Sequence, residues 1–287
     1  MTAPSAESPD RRIAFQGEPG AFSEEAALRF LGPAIVTVPR PTFDSAFRAL
    51  AEGAANALLV PIENSLAGSV LRVYELLLEG DLWIAAETIL PIEHHLIGCP
   101  GATLEQIRSI ESHPMALAQC ERFISAHPGW KRIPVEDTAG SVRDVVARDD
   151  RSRSAVAGRR AAEIYRGAIL ASDIQDNAEN FTRFVLLTPA HDTAPGADKT
   201  TLAVRLAHRP GALLAALEPF ARRGMNLLKI ESRPIHGCPW EYQFFLDVEV
   251  PSLGRLEDAL RELRGGSQDV RQLGVYAAGR PGPLSTI

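Results

Sequence analysis

The chain of 287 residues is predicted to be an α/β protein in two parts, a larger body over residues 11–190 and a smaller βαββαβ module over residues 200–279. Three observations carry this reading. Short apolar runs alternate with amphipathic stretches through the first 190 residues, the pattern of helices packed on a mostly parallel sheet. The stretch TPAHDTAPGAD, residues 188–198, then has the Pro, Gly and Asp content of a linker, set at residues 191–199. Finally, residues 1–198 hold 18 Lys and Arg against 27 Asp and Glu, whereas residues 199–287 hold 12 against 9, so the two parts differ in net sign.

In order along the body, Arg12 to Phe15 reads as an opening strand. The turn Gly17, Glu18, Pro19, Gly20 leads to Ser23, a helix-capping residue type, with Glu24 and Glu25 in the first turn where the helix dipole favours them. Phe43, Ala46, Phe47 and Leu50 recur at i, i+3, i+4 and i+7 and mark a second helix. Ala57 to Ile62 is a strand feeding a turn at Glu63 and Asn64. Further strands are expected at Ile84 to Leu90, Arg108 to Glu111, Ser154 to Ala157 and Ile169 to Ala171. Helices are expected at Pro114 to Ala126, Ala139 to Arg148 and Arg159 to Tyr165. The segment Leu82 to Gly98 crosses between two lobes and the strand NFTRFVLL returns, leaving a cleft of the kind in which open α/β sheets bind ligands.

The C-terminal module reads as strand Thr200 to Leu206, helix Pro210 to Arg223 with Pro in its first turn, strands Asn226 to Arg233 and Glu241 to Val250, helix Leu253 to Arg264 and strand Val270 to Tyr276. This order is ferredoxin-like.

Composition excludes several classes of function. With 45% hydrophobic and 23% charged residues the chain is an ordinary globular sequence. Cys99, Cys120 and Cys238 form neither a disulfide framework nor a zinc pattern, and no metal site is expected. No apolar run approaches the roughly 18 residues that span a bilayer. The opening residues lack the apolar core of a secretion signal, so a cytoplasmic protein with a loose tail over residues 1–10 is expected, with no membrane partner. No basic stripe with interleaved aromatics is present, which argues against nucleic acid.

Chemistry is expected first at Asn180 to Phe184, the string NFTRF. It plants a carboxamide, a hydroxyl and a guanidinium at the mouth of an apolar strand, where an unpaired polar group costs about 1–3 kcal/mol. From these five residues alone two readings stand: partners await Thr182 and Arg183, or the strand begins in solvent and Arg183 snorkels outward.

Seven segments in sequence resemble those of one family, the prephenate dehydratases with a C-terminal ACT regulatory domain. They are IAFQGEPGAFSEEAA from Ile13, VPIENSLAGSV from Val60, ESHPMALAQC from Glu111, EDTAGSV from Glu136, NFTRF from Asn180, RPGAL from Arg209 and NLLKIESRP from Asn226. The resemblance implies a two-lobed, periplasmic-binding-protein-like catalytic domain and an ACT domain. It implies conversion of prephenate to phenylpyruvate with loss of water and carbon dioxide, without metal or other cofactor. Phenylalanine is implied as effector, and an assembly of two or four copies.

Aromatisation drives both departures, so such a site needs a carboxylate clamp, a donor at the leaving hydroxyl and little water. Arg183 suits the clamp because its planar fork takes a carboxylate bidentately. Thr182 matches the family's catalytic threonine; its hydroxyl is too weak an acid to release a proton, which leaves hydrogen bonding to the departing hydroxyl. Glu63 is either a buried acid or a structural carboxylate. The remaining expected substrate contacts are Asn64 and Ser65, Ser112 as a helix cap offering amides to an anion, His113, Gln119 on the same helix, Glu136 and Thr138 in a second polar turn, and Asn180 and Phe184. Met115 stands where the resemblance leads one to expect glutamine.

Effector contacts are expected at Gly211, Ala212, Leu213, Asn226, Leu227, Glu231, Ser232, Arg233 and Pro234. Arogenate as the substrate, with an ammonium in place of the keto group, and a ligand sensor without turnover remain alternatives; retention of Thr182 and Arg183 counts against the sensor.

Overall fold

The computed structural model describes residues 11–235 and 237–280, without the side chain of Pro239; the tail expected over residues 1–10 lies outside them. The chain divides into two units. The first comprises residues up to Leu78, Thr88–Val185 and Arg280; the second comprises Glu79–Glu87 and Leu186–Gly279. The second unit therefore takes in a stretch that the sequence assigned to the larger body.

In the first unit the elements run β1 (Arg12–Gln16), α1 (Phe22–Leu31), β2 (Val36–Arg40), α2 (Phe43–Ala51), β3 (Ala57–Asn64), β4 (Gly68–Ser69) and α3 (Leu71–Glu79), then β5 (Trp83–Pro91), whose first half belongs to the second unit. There follow β6 (His95–Gly98), β7 (Ser109–Ser112), α4 (Pro114–Gln119), α5 (Glu121–Ser125), β8 (Lys131–Pro134), α6 (Thr138–Arg148), β9 (Arg153–Ala157), α7 (Arg159–Tyr165), β10 (Ala168–Ala171) and β11 (Phe181–Thr188), which passes into the second unit at Leu186. One sheet has the order β5-β11-β3-β1-β2 and the other β10-β6-β9-β7-β8, which makes the two lobes. β1 lies parallel to β2 and β3, as expected. The second sheet is mixed instead: β7 is parallel to β8 and β9, but β6 is antiparallel to both β9 and β10. Strand β6 is only four residues long, too short for periodicity to reveal.

Local chemistry sets the ends of these elements. Helix α2 carries a reciprocal capping box between Thr42 and Ser45. Helix α1 does not use Ser23 as its cap; Ala21 occupies that position and Ser23 lies buried in the first turn. The turn before it depends on Gly20, whose φ of +91° disfavours a side chain, and whose added Cβ would lie 2.8 Å from the backbone of Ala161 in the other lobe. The helix predicted over 114–126 is two helices. At the break, the Asp176 N–H donates to the Gln119 carbonyl at 2.7 Å, and the Asp176 carboxylate accepts the Arg122 N–H at 3.0 Å, satisfying an orphan amide of α5.

Phe15 and Ala21 of the first lobe share one apolar cluster with Ile97, Val142, Ala157 and Ala161 of the second. Burial of these side chains contributes roughly 25 cal/mol per Å² of apolar surface. Buried Glu24 reinforces the join: it accepts from Gly20 N–H (2.8 Å), Thr37 (2.9 Å) and Arg160 Nε (2.7 Å).

The second unit adds β12 (Lys199–Arg205), α8 (Ala212–Ala221), β13 (Leu227–Ile235), β14 (Cys238–Glu249), α9 (Leu253–Gly266) and β15 (Asp269–Tyr276). Its antiparallel order β13-β14-β12-β15 is that of the ferredoxin-like arrangement. Pro210 falls outside α8, which starts at Ala212 behind a left-handed Gly211. The expected linker is docked, not free. Trp83 donates its indole N–H to the Asp192 carbonyl (2.9 Å) and stacks on His191, and Asp198 N–H donates to the Tyr276 carbonyl (3.2 Å). No helix among the described residues is long and apolar enough to cross a membrane.

Candidate active site

Strands β3 and β11 are neighbours, so the end of one meets the start of the other. The Asn64 carboxamide closes this corner. Its Nδ2 donates toward Asn180 Oδ1 (2.8 Å), Thr182 Oγ1 (2.9 Å) and the Phe181 carbonyl (3.1 Å), and its Oδ1 accepts the N–H groups of Leu66 (3.0 Å) and Ala67 (2.8 Å). Ser65 ties the same corner, donating to the Glu179 carbonyl and accepting from Phe181 N–H, each at 2.9 Å. Thr182 is 8% exposed, and its Oγ1 is one of the three acceptors in reach of Asn64 Nδ2. When Oγ1 accepts from Asn64, the Thr182 hydroxyl hydrogen is available to donate to another partner.

Alternation along the strand separates residues that the motif lists side by side. Thr182, Asn180 and Phe184 lie on one face of β11, and Arg183 on the other. Phe184 is packed in the core at 1% exposure. The Arg183 guanidinium meets Glu63 (Nη2 to Oε2 3.2 Å), and Glu63 stands opposite Asn64 on β3 by the same alternation. The pair thus sits on the face of the strands away from Thr182, with the Arg183 side chain 12% and the Glu63 side chain 36% exposed.

The crossing segment after β5 links this corner to the second lobe. Ile92 N–H donates to the Asn180 carbonyl (2.8 Å), and two residues on, His94 Nε2 lies 2.9 Å from Gln119 Oε1. Burial pushes His94 below the ordinary imidazole pKa, outweighing its bond to Gln119, so the ring is neutral. Ser112 is fully buried and donates to the Val156 carbonyl (2.7 Å), joining β7 to β9; the cap of α4 is His113, whose Nδ1 accepts Met115 N–H (3.2 Å). The serine is displaced because it still belongs to the strand. At α6, Asp137 caps through Gly140 N–H, while Glu136 is exposed and Thr138 opens the helix. Gly17 approaches Asp137, bringing the Gly17–Gly20 turn to this helix start. Asp137 and His94 escaped the sequence reading; the signals were an Asx residue three before a glycine and a histidine inside an apolar run.

Glu93, His95 and Asp173 bring one ligand atom each within 4.8 Å, but His95 Nδ1 there accepts the Asp173 N–H at 3.2 Å, so that lone pair is engaged.

In the second unit, a cavity of about 140 Å³ is lined by Leu206, Arg209, Ala212, Leu213, Trp240 and Phe244 among others. Ser232 pairs across the strands with Phe244 and Pro234 with Tyr242, which places both beside it. Glu231 and Arg233 occupy the opposite face and pair with each other at 2.9 Å, which separates them from the expected effector set. The Asn226 carbonyl accepts Glu249 N–H, and Leu227 packs on the core.

The family model for prephenate dehydratase matches residues 13–192, and the ACT domain model matches residues 200–265. The chain belongs to the prephenate dehydratase family. Arogenate dehydratase/prephenate dehydratase 2 of Arabidopsis thaliana is 39% identical over 278 residues, covering 92% of this chain and 72% of the plant protein. The bifunctional chorismate mutase/prephenate dehydratase of Neisseria gonorrhoeae is 37% identical, covering 92% and 74%. Among solved structures, prephenate dehydratase in complex with L-Phe from Arthrobacter aurescens superposes with a TM-score of 0.85 at 34% identity, covering 94% of this chain and 92% of that one. GqqA, described as a novel type of quorum quenching acylase, gives 0.85 at 37% identity, covering 96% and 99%. The Asn64–Thr182–Asn180 corner and the His94–Gln119 pair both lie within the residues that the prephenate dehydratase model matches.

Proposed function

We propose that this chain converts prephenate to phenylpyruvate in phenylalanine biosynthesis. The dianion takes up one proton, the 4-hydroxyl leaves as water, the ring carboxylate leaves as carbon dioxide, and the ring becomes aromatic. The observation that carries the reading is the 2.9 Å bond from Asn64 to Thr182, within a family match across the catalytic part. With Asn64 donating to Oγ1, the Thr182 hydroxyl hydrogen is available to the substrate, and donating it to the departing hydroxyl favours the transition state. Gln119 and the N–H of Thr138, which lies outside the helix's own bonds, meet carboxylate or keto oxygens. Arg183, paired with Glu63 at 3.2 Å on the other face, helps hold the strand that carries Thr182 against the strand that carries Asn64.

Likeness to the acylase GqqA supports a second reading, amide hydrolysis with Thr182 as nucleophile. That chemistry asks for a base accepting the Thr182 proton. Among the described residues the side chain hydrogen-bonded to Thr182 is Asn64, which donates, so the lyase reading is favoured.

Phenylalanine, the ligand in the Arthrobacter complex, is the proposed effector, with its ring in the 140 Å³ cavity of the second unit; an engineered apolar cavity of about 150 Å³ holds one benzene ring. Two or four copies form the proposed assembly. The deciding experiment compares kcat/KM for prephenate and arogenate. A clear preference for prephenate is expected; a preference for arogenate, or turnover of neither, overturns the reading.

A further inference from the structure

His94 lies on the crossing segment, 2% exposed, with the edge of the Phe22 ring set against it at 5.5 Å. Its imidazole and the Gln119 carboxamide are 2.9 Å apart, and both main chains are anchored to one short stretch. His94 N–H donates to Gln175 Oε1 (2.9 Å), the His94 carbonyl accepts Ile174 N–H (2.8 Å), and the Gln119 carbonyl accepts Asp176 N–H (2.7 Å). The side-chain bond therefore joins two fixed points.

A carboxamide oxygen can only accept, so His94 carries its proton on Nε2. The Gln119 NH2 group is then turned away from the imidazole. Gln119 is half-buried at the last residue of α4.

We propose that His94 is a positioning residue: by holding Gln119 Oε1 it fixes the carboxamide with its N–H groups toward the substrate. This deepens the proposed reaction and rests on that reading. Two fixed N–H donors satisfy a carboxylate or keto oxygen and repel an ammonium. The pair thus selects the keto acid over the amino acid, a discrimination that needs no acidic residue in the cleft.

Two experiments test the proposal. In the intact protein at pH 7, imidazole 15N NMR, assigned with His94→Gln, is expected to show His94 as the neutral Nε2–H tautomer; an Nδ1–H tautomer or an imidazolium overturns it. In kinetics, His94→Leu is expected to lower kcat/KM for prephenate roughly 10- to 100-fold, mainly through KM, as one oriented hydrogen-bonding group is lost. His94→Gln, which keeps an N–H donor, is expected to recover part of that loss. Gln119→Glu presents an acceptor instead of donors and is expected to move the prephenate-to-arogenate ratio at least roughly tenfold toward arogenate. A ratio unchanged in that variant, or wild-type kinetics in His94→Leu, overturns the proposal. Failure of the unmodified chain to turn over either acid overturns the functional reading instead, and the tautomer measurement stands apart from it.

Discussion

Replacing Thr182 by valine removes one hydroxyl and keeps the side chain's shape. The cost to folding follows from the hydrogen bonds around Asn64. Its two Nδ2 hydrogens face three acceptors, Asn180 Oδ1, Thr182 Oγ1 and the Phe181 carbonyl, so deleting one leaves both hydrogens with a partner. No buried donor is orphaned, and the loss is one ordinary hydrogen bond, about 1 kcal/mol. Catalysis is affected more. Removing an oriented donor at a developing negative charge typically costs about 2.7–4 kcal/mol, roughly 10²–10³ in kcat. The assay pairs thermal unfolding with phenylpyruvate formation from prephenate, with Thr182→Ser as the control that keeps the donor. A valine variant with native-like melting and kcat within threefold of the unmodified chain refutes the role given to this hydroxyl.

Other consequences are as direct. Burial, and then the nearby Asp176 carboxylate, push the Cys120 thiol up to about 12, and burial with Asp149 raises Cys99; at pH 8 a thiol reagent should label Cys238 in the native protein and all three cysteines after denaturation. Burial alone would raise the pKa of Glu24, but Arg160, Gly20 N–H and Thr37 outweigh it and hold it low. The stability it contributes is present above the ordinary carboxylate range and is lost as pH falls through its folded value. Glu24→Gln should therefore cost about 1–2 kcal/mol at pH 7 and progressively less as pH falls below the ordinary carboxylate range, read by denaturant unfolding over a pH series. Arg209→Ala and Phe244→Ala, at the cavity of the second unit, should weaken inhibition by phenylalanine at least roughly fivefold with uninhibited kcat within about twofold; unchanged inhibition places the effector elsewhere.

Long periodic elements were legible from the residues: α2, α6, α9 and the buried strands β1, β3 and β9 fall where apolar spacing put them. The strands β2 and β8 were not, because they are exposed or half-buried throughout and each includes a proline, and the four-residue β6 lies inside the stretch expected to cross between lobes. For the site, the strings NFTRF and ESRP list neighbours in sequence that do not share one surface. A strand has period two. It sends Thr182 toward Asn64 and Arg183 toward Glu63, and sets Ser232 and Pro234 beside the cavity with Glu231 and Arg233 behind. Capping erred for a related reason: Ser112 precedes a proline-led helix in sequence but still lies in β7, so its hydroxyl completes the sheet and His113 takes the helix end. The bond from His94 to Gln119 spans 25 residues, and no local pattern announces it.

The stoichiometry of products from prephenate tests the central claim most directly. The purified chain given prephenate should release phenylpyruvate and carbon dioxide in equal amounts, at a rate that Thr182→Val lowers for both together. Release of carbon dioxide without phenylpyruvate, or equal rates in the valine variant, would contradict it.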